Sequence, residues 1–168
     1  AGRDIVSLAR LLHAPVVYTL RAKELLEKDN PNAVGMTGLL GWGAAVHAVL
    51  ECDVLVMWGT DFPYSDFLPR GARVIQVDTD AAALGRRVRL ELGVHGSVAA
   101  VAPALLPMLS PHRSDDFLQA MRTYHAREVA GISQTLRVVN EAAPLRPELL
   151  TRLVSDHAEP DAVFTVDT

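Results

Sequence analysis

Two apolar runs limit what this chain can become. "DVLVMWG" (53–59) and "ARVIQVDTD" (72–80) are continuous rather than alternating, and Gly59 and Asp78 close them. A short run with no polar face suits a strand covered on both sides, as in a parallel sheet flanked by helices. Residues 54–58 and 73–77 are therefore expected to be adjacent buried strands.

The neighbouring segments keep the same rhythm. Ile5, Leu8, Ala9 and Leu12 recur at helical spacing, which predicts a helix over 4–13. "APVVYTL" reads as a short buried strand, 20–34 as irregular polar chain punctuated by Pro31, and 41–51 as a helix. "RLELGV" is a weaker strand, followed by a helix from Ser97 to Leu109 with Ser97 as its N-cap. The alternation predicts an α/β fold, a doubly wound Rossmann-like parallel sheet.

The pattern changes at "SPHRSDD", a polar break. A helix over about 115–141 is expected next, then a helix from Pro147 to about Ser155 and a strand, "AVFTV". This reads as the start of a second α/β domain. The expected organisation is 1–110 as the main domain, 111–144 as a helical linker and 145–168 as the new unit. The chain opens on a helix and stops on a strand, so both ends read as those of a fragment whose main domain lacks its first strand.

Composition removes several function classes. With 168 residues and 49% apolar residues, the chain is long and apolar enough for a real core. Its net charge is −4 and no Lys/Arg block is present, which argues against a nucleic-acid surface. The single cysteine, Cys52, cannot close an intrachain disulfide, and its expected setting is a reducing compartment, the cytoplasm. The six histidines, His13, His47, His95, His112, His125 and His157, are scattered without metal-ligand spacing.

The chemistry lies in three segments. "NAVGMTGLLGWG" (32–43) carries Gly35, Gly38, Gly41 and Gly43 just before an apolar helix. Glycines there allow unusual backbone angles and close approach by a ligand, and a helix N-terminus suits a phosphate; a flexible loop with helix-packing glycines is the alternative. "GTDFPY" (59–64) follows the first apolar strand directly, and Asp78 ends "VIQVD". In open parallel sheets, ligands bind beyond the carboxyl ends of the strands, and an acid there accepts from ribose hydroxyls. Backbone amides for phosphate, Phe62 and Tyr64 for flat or sugar surfaces, and a carboxylate for hydroxyls together describe a nucleotide site. Core packing is the competing reading of Phe62 and Tyr64. Arg86 and Arg87 could approach a phosphate or form a solvated face, while Asp53 and Asp66 read as turn residues.

"NPNAVGMTGLLGWG", "VLVMWGTDFPY", "ARVIQVDTDAAALGRR" and "APVVYTLRAKELLEKDNP" resemble the central domain of thiamine-diphosphate-dependent flavoenzymes, closest to the pyruvate oxidase and quinone-dependent pyruvate dehydrogenase group. The resemblance covers roughly 1–110, and "LRPELLTRLVSD…AVFTVDT" is similar to the opening of that family's pyrophosphate-binding domain. It implies that Thr37, Gly38, Leu39 and Leu40 line FAD, that Thr60, Asp61, Phe62, Pro63 and Tyr64 form a second wall, and that Asp78 holds a ribose. It implies oxidative decarboxylation of pyruvate or a related 2-oxo acid, with electrons passing through FAD to a quinone or oxygen. Thiamine diphosphate and Mg²⁺ would belong to other domains of the parent protein, a homo-oligomer whose only membrane contact would be peripheral, at the inner face.

The pattern departs from the family at Gly96-Ser97, where relatives commonly carry Gly-Asp; this puts adenine-end binding in doubt. The glutamate that activates thiamine and the Mg²⁺-binding motif are absent from this chain. Asp167 falls in the family's "FT-x-D" strand but is not assigned to a metal. The fragment alone is expected not to turn over pyruvate and to self-associate. Two other readings stay open. One is an acetolactate synthase or another thiamine enzyme whose central domain binds ADP or nothing; the other is a non-catalytic nucleotide-binding module.

Overall fold

The computed structural model describes residues 1–137 and 144–165. It divides into two compact units, Ala1–Glu128 and Val129–Thr168. The elements of the first unit are α1 (Gly2–Leu11), β1 (Val16–Tyr18), α2 (Lys23–Leu26), β2 (Ala33–Met36), α3 (Gly43–Glu51), β3 (Val54–Trp58), β4 (Arg73–Asp78), β5 (Leu92–His95) and α4 (Val98–Leu105). α5 (Asp116–Arg137) begins in this unit, and α6 (Pro147–His157) lies in the second.

The fold is α/β with parallel strands throughout its sheets. β3, β4 and β5 pair in that order, Val54 beside Arg73 through Trp58 beside Val77, and Ile75 beside Leu92 through Asp78 beside His95. The two apolar runs are thus adjacent strands, as expected. Val74 and Val77 are each 1% exposed, so β4 is covered on both faces. Burying a valine to that extent contributes roughly 1.5–3 kcal/mol. β1 and β2 form a separate parallel pair, Val16 beside Ala33 and Tyr18 beside Met36.

Successive strand residues face opposite sides. Leu55 and Met57 of β3 share one face with Val74 and Gln76 of β4. On that face Met57 and Val74 join a core with Phe62, Leu68, Val88 and Leu90 from the two crossovers, 59–72 and 79–91. Neither crossover contains an α-helix; a single 3-10 turn, Ser65–Phe67, interrupts the first. α4 packs against β4 and α1. Ser97 caps α4 as expected, its Oγ accepting from the Ala100 amide at 3.2 Å.

The irregular reading of 20–34 is corrected. A 3-10 turn (Leu20–Ala22), α2 and the start of β2 occupy it. β2 was hidden because "AVGM" is short and carries a glycine, and its order comes from two buried asparagines. Asn32 donates from Nδ2 to the carbonyls of Ala9 (3.0 Å) and Ala14 (2.8 Å), tying β2 to the end of α1 and the start of β1. Asn30 Oδ1 accepts from the Asn32 amide. Other ends shift by a few residues: the first strand is only 16–18, the third helix starts at Gly43, the weak strand at Leu92, and the Ser97 helix gives way to a 3-10 turn at 106–108.

A second core joins Val34 of β2, Ala44 and Ala48 of α3, and Met121 of α5. The first turns of α5 therefore lie on the β2–α3 layer. In the second unit, α6 begins with Pro147 in its first turn, as its sequence predicts, and pairs Arg152 with Asp156 at 2.7 Å. Residues 162–165 form no strand, which corrects that part of "AVFTV"; Val166, Asp167 and the 138–141 end of the expected long helix lie outside the described residues.

Candidate functional site

The carboxyl ends of β3, β4 and β5 converge. Gly59 leaves β3 with φ +58° and donates its amide to the Val77 carbonyl at 2.8 Å. Gly96 leaves β5 and donates to the Asp78 carbonyl at 2.9 Å. Gly59 also lies against Val98, in the first turn of α4; a β-carbon at 59 would sit 3.3 Å from that side chain. Thr60, Asp78, His95 and the start of α4 thus share one end of the sheet, the position that open parallel sheets use for ligands.

The glycine-rich turn meets the loop after β3 at Gly38. Gly38 has φ +98°, and a β-carbon there would lie 3.1 Å from Phe62 Cζ and 3.5 Å from Tyr64 Cδ2. Only a glycine combines that backbone angle with that approach. Phe62 and Tyr64 meet edge to face at 5.5 Å between ring centres. Phe62 is buried in the core, whereas Tyr64 is 40% exposed. The core reading of Phe62 holds together with its place in the loop. Gly41 closes the turn by donating to the Gly38 carbonyl at 2.8 Å.

The polar groups divide into spent and unspent. Asp61 is spent on two guanidiniums, with Arg86 at 2.8 Å and Arg87 at 3.2 Å. Asp78 uses Oδ1 to accept the Asp80 amide at 2.9 Å, and its Oδ2 makes no hydrogen bond among the described residues. Thr37 Oγ1 is buried and has no partner among the described residues. A buried hydroxyl without a partner costs stability, so such a group calls for an occupant. Leu39 (69%) and Leu40 (54%) stand exposed beside it. An unpaired hydroxyl, a side-chain-free α-carbon against two rings and a carboxylate oxygen suit a ligand with hydroxyls and a flat ring system.

The N-terminus of α3 is already taken. The Ala44 amide donates to Glu128 Oε2 at 2.9 Å, and Gly43, at φ +52°, leaves room for the carboxylate beside its α-carbon. A carboxylate at a helix N-terminus meets both the free amides and the positive end of the dipole. The anion at this place is therefore the chain's own Glu128, from α5.

Gln76 escaped notice in the sequence. It is 2% exposed, and its Nε2 donates to the carbonyls of Thr60 and Ala83, both at 3.2 Å. Its Oε1 accepts the Gly85 amide at 3.0 Å. One side chain thereby fixes both loops that flank Asp78. A lone amide inside "RVIQVD" was the available signal, since a buried amide must find partners.

The remaining titratable groups are structural. Tyr18 donates to Glu27 Oε1 at 2.5 Å; burial, this bond and the Glu27 charge push the Tyr18 hydroxyl well above its usual range. For Glu27, burial acts upward, yet hydrogen bonds from Lys23 and Tyr18 and the charges of Lys23 and His125 hold it below the usual carboxylate value. Burial first, and Asp53 second, push the Cys52 thiol up, away from the nucleophilic thiolate. Among the described residues, no histidine, cysteine or acid cluster could hold a metal ion, and no helix is long and apolar enough to cross a membrane.

The sequence resembles those of known proteins. A family described as "Thiamine pyrophosphate enzyme, central domain" matches residues 1–105. A putative thiamine pyrophosphate-containing protein of Bacillus subtilis, YdaP, is 31% identical over 99% of this chain and 29% of its own length. An acetolactate synthase of Mycobacterium bovis is 31% identical over 98% of the chain, and a pyruvate oxidase of Lactiplantibacillus plantarum 25% over 99%; each is covered over 28% of its length. The chain spans 19–36% of the length of the curated relatives it matches. A match over most of the chain, joined to parallel strands whose carboxyl ends carry the three motifs, places the protein: it belongs to the thiamine pyrophosphate enzyme central-domain family.

Proposed function

We propose that this chain is the FAD-holding part of an enzyme that oxidatively decarboxylates pyruvate or a related 2-oxo acid. The contact of Gly38 with Phe62 and Tyr64 carries the reading, because it joins the two motifs named for the cofactor. Thr37, next to Gly38, and Asp78, at the end of β4, each offer an unused polar oxygen. Thr37 Oγ1 and Asp78 Oδ2 bind the hydroxyls and polar edge of the nucleotide. Thr60, Asp61, Pro63 and Tyr64 form the facing wall, and the exposed Leu39 and Leu40 shield the ligand from water. Gln76 holds the Thr60 carbonyl in place, and Arg86 and Arg87 keep the Asp61 carboxylate neutralised. Bound in the parent protein, thiamine diphosphate and Mg²⁺ supply the decarboxylation chemistry and FAD the route for electrons to a quinone or oxygen.

The acetolactate synthase relative, at 31% identity, supports a second reading in which the parent joins two 2-oxo acids. Both readings share the nucleotide site and part at the product. Purified parent protein should be yellow, should lose its colour on Asp78→Ala, and should reduce an added acceptor in step with pyruvate consumed. Acetolactate formation without acceptor reduction would establish the second reading. A colourless protein that binds ADP would remove FAD, and one that binds neither would leave a non-catalytic module. The domain organisation proposed with this reading is 1–110, 111–144 and 145–168.

A further inference from the structure

We infer a second ligand site, for a soluble phosphate monoester, on the face of the sheet that the two crossovers cover. A cavity of about 680 Å³ lies between them, lined by Arg70, Arg73 and Arg89 over an apolar floor that includes Leu68, Val74 and Leu90. Among the described residues these three guanidiniums have no ion pair or side-chain hydrogen bond. Arg87 also reaches the rim, but Asp61 already neutralises it. Glu91 is the one acid in the lining.

The chain carries a net charge of −4, yet three unpaired cations line one hollow. Like charges held together favour whatever anion neutralises them. The count selects the ligand class. One carboxylate leaves the guanidiniums repelling each other, whereas a phosphate monoester brings close to two charges and oxygens that match the guanidinium fork. The apolar floor takes the body of the ester, since small-molecule sites combine apolar lining with a few convergent polar groups.

This site is separate from the proposed nucleotide site. Arg73 opens β4 and Arg89 precedes β5, at the amino end of the strands, while Asp78 closes β4. Five steps along the strand separate Arg73 from Asp78, roughly 16 Å at the rise of a parallel strand.

The probe is phenyl phosphate, titrated into the purified protein by calorimetry, with benzoate and inorganic phosphate as controls. Phenyl phosphate should bind more tightly than either control. Arg73→Gln combined with Arg89→Gln should weaken it at least tenfold with an unchanged circular dichroism spectrum, and Arg70→Gln alone should weaken it less. Asp78→Ala, at the other end of the sheet, should leave the titration unaltered. Equal binding by wild type and the double variant, weakened binding in Asp78→Ala, or no binding at millimolar phenyl phosphate would each overturn the inference.

Discussion

Replacing Gln76 with leucine removes three hydrogen bonds while nearly preserving volume. Thr60 O and Gly85 N lose their partner, while Ala83 O loses one of two and keeps the Arg86 amide at 3.3 Å. The cost differs among them. Gly85 is exposed and its amide regains water, whereas Ala83 is buried and Thr60 half-buried. Leaving the Thr60 carbonyl unsatisfied costs about 1–3 kcal/mol and the loss of one of two bonds at Ala83 about 1 kcal/mol, roughly 2–4 kcal/mol together. Leucine recovers about 1 kcal/mol by burying more apolar surface, which leaves a net loss of about 1–3 kcal/mol. Urea unfolding followed by tryptophan fluorescence suits the measurement, because Trp42 and Trp58 both lie in Ala1–Glu128. With a urea dependence near 2 kcal/mol per molar, the midpoint should fall by roughly 0.5–1.5 M at an unchanged slope. FAD or ADP affinity should fall beyond what stability explains, since both loops beside Asp78 lose their anchor. A variant as stable as wild type, with equal nucleotide affinity, would show that these bonds do not set the loops.

Four further outcomes are expected. Gly38→Ala places a β-carbon against Phe62 at φ +98° and should cost about 1–3 kcal/mol by urea unfolding; Phe62→Leu in the same chain should recover part of it. Asp78→Ala in the parent protein should weaken FAD by about ten- to a hundredfold in a fluorescence titration, the equivalent of a charged hydrogen bond of roughly 1.5–3 kcal/mol. Glu128→Ala leaves the Ala44 amide without its cap and should cost about 0.5–2 kcal/mol, while Glu128→Gln, which retains an oxygen acceptor, should cost less. Glu27 is held below its unfolded value, so its stabilisation is present above about pH 4.3, the unfolded carboxyl value, and is lost as pH falls through the folded one. Urea midpoints measured from neutral pH downward should fall less steeply in Tyr18→Phe, which removes one of the bonds holding that carboxylate.

The strands of the second sheet could be read because their apolar runs needed only burial, and Val54–Trp58 and Arg73–Asp78 pair as those runs imply. Asp78 could be placed because the end of such a strand is a fixed position. β2 could not, since Val34 gains its burial from Ala44, Ala48 and Met121, the last 87 positions away in the chain (121 − 34). Glu128 at the start of α3 was illegible for the same reason: a distant cap leaves no local spacing. The closeness of Gly38 to Phe62 likewise depends on how two loops fold back, which no single segment encodes. Gln76 was legible in principle, as the one polar residue inside an apolar run, but its partners were not.

Met121 lies beyond the matched domain yet belongs to its core. The family match stops at residue 105, yet Met121 closes the core around Val34 and Ala44, and Glu128 finishes the next helix. A chain cut at that match would keep every motif and lose the lid of its own interior. It would meet water with an apolar layer of valine and alanine and be prone to aggregate. The stretch that the family model matches and the stretch that packs around one core are therefore different lengths. Swapping this module between relatives calls for a cut beyond Glu128.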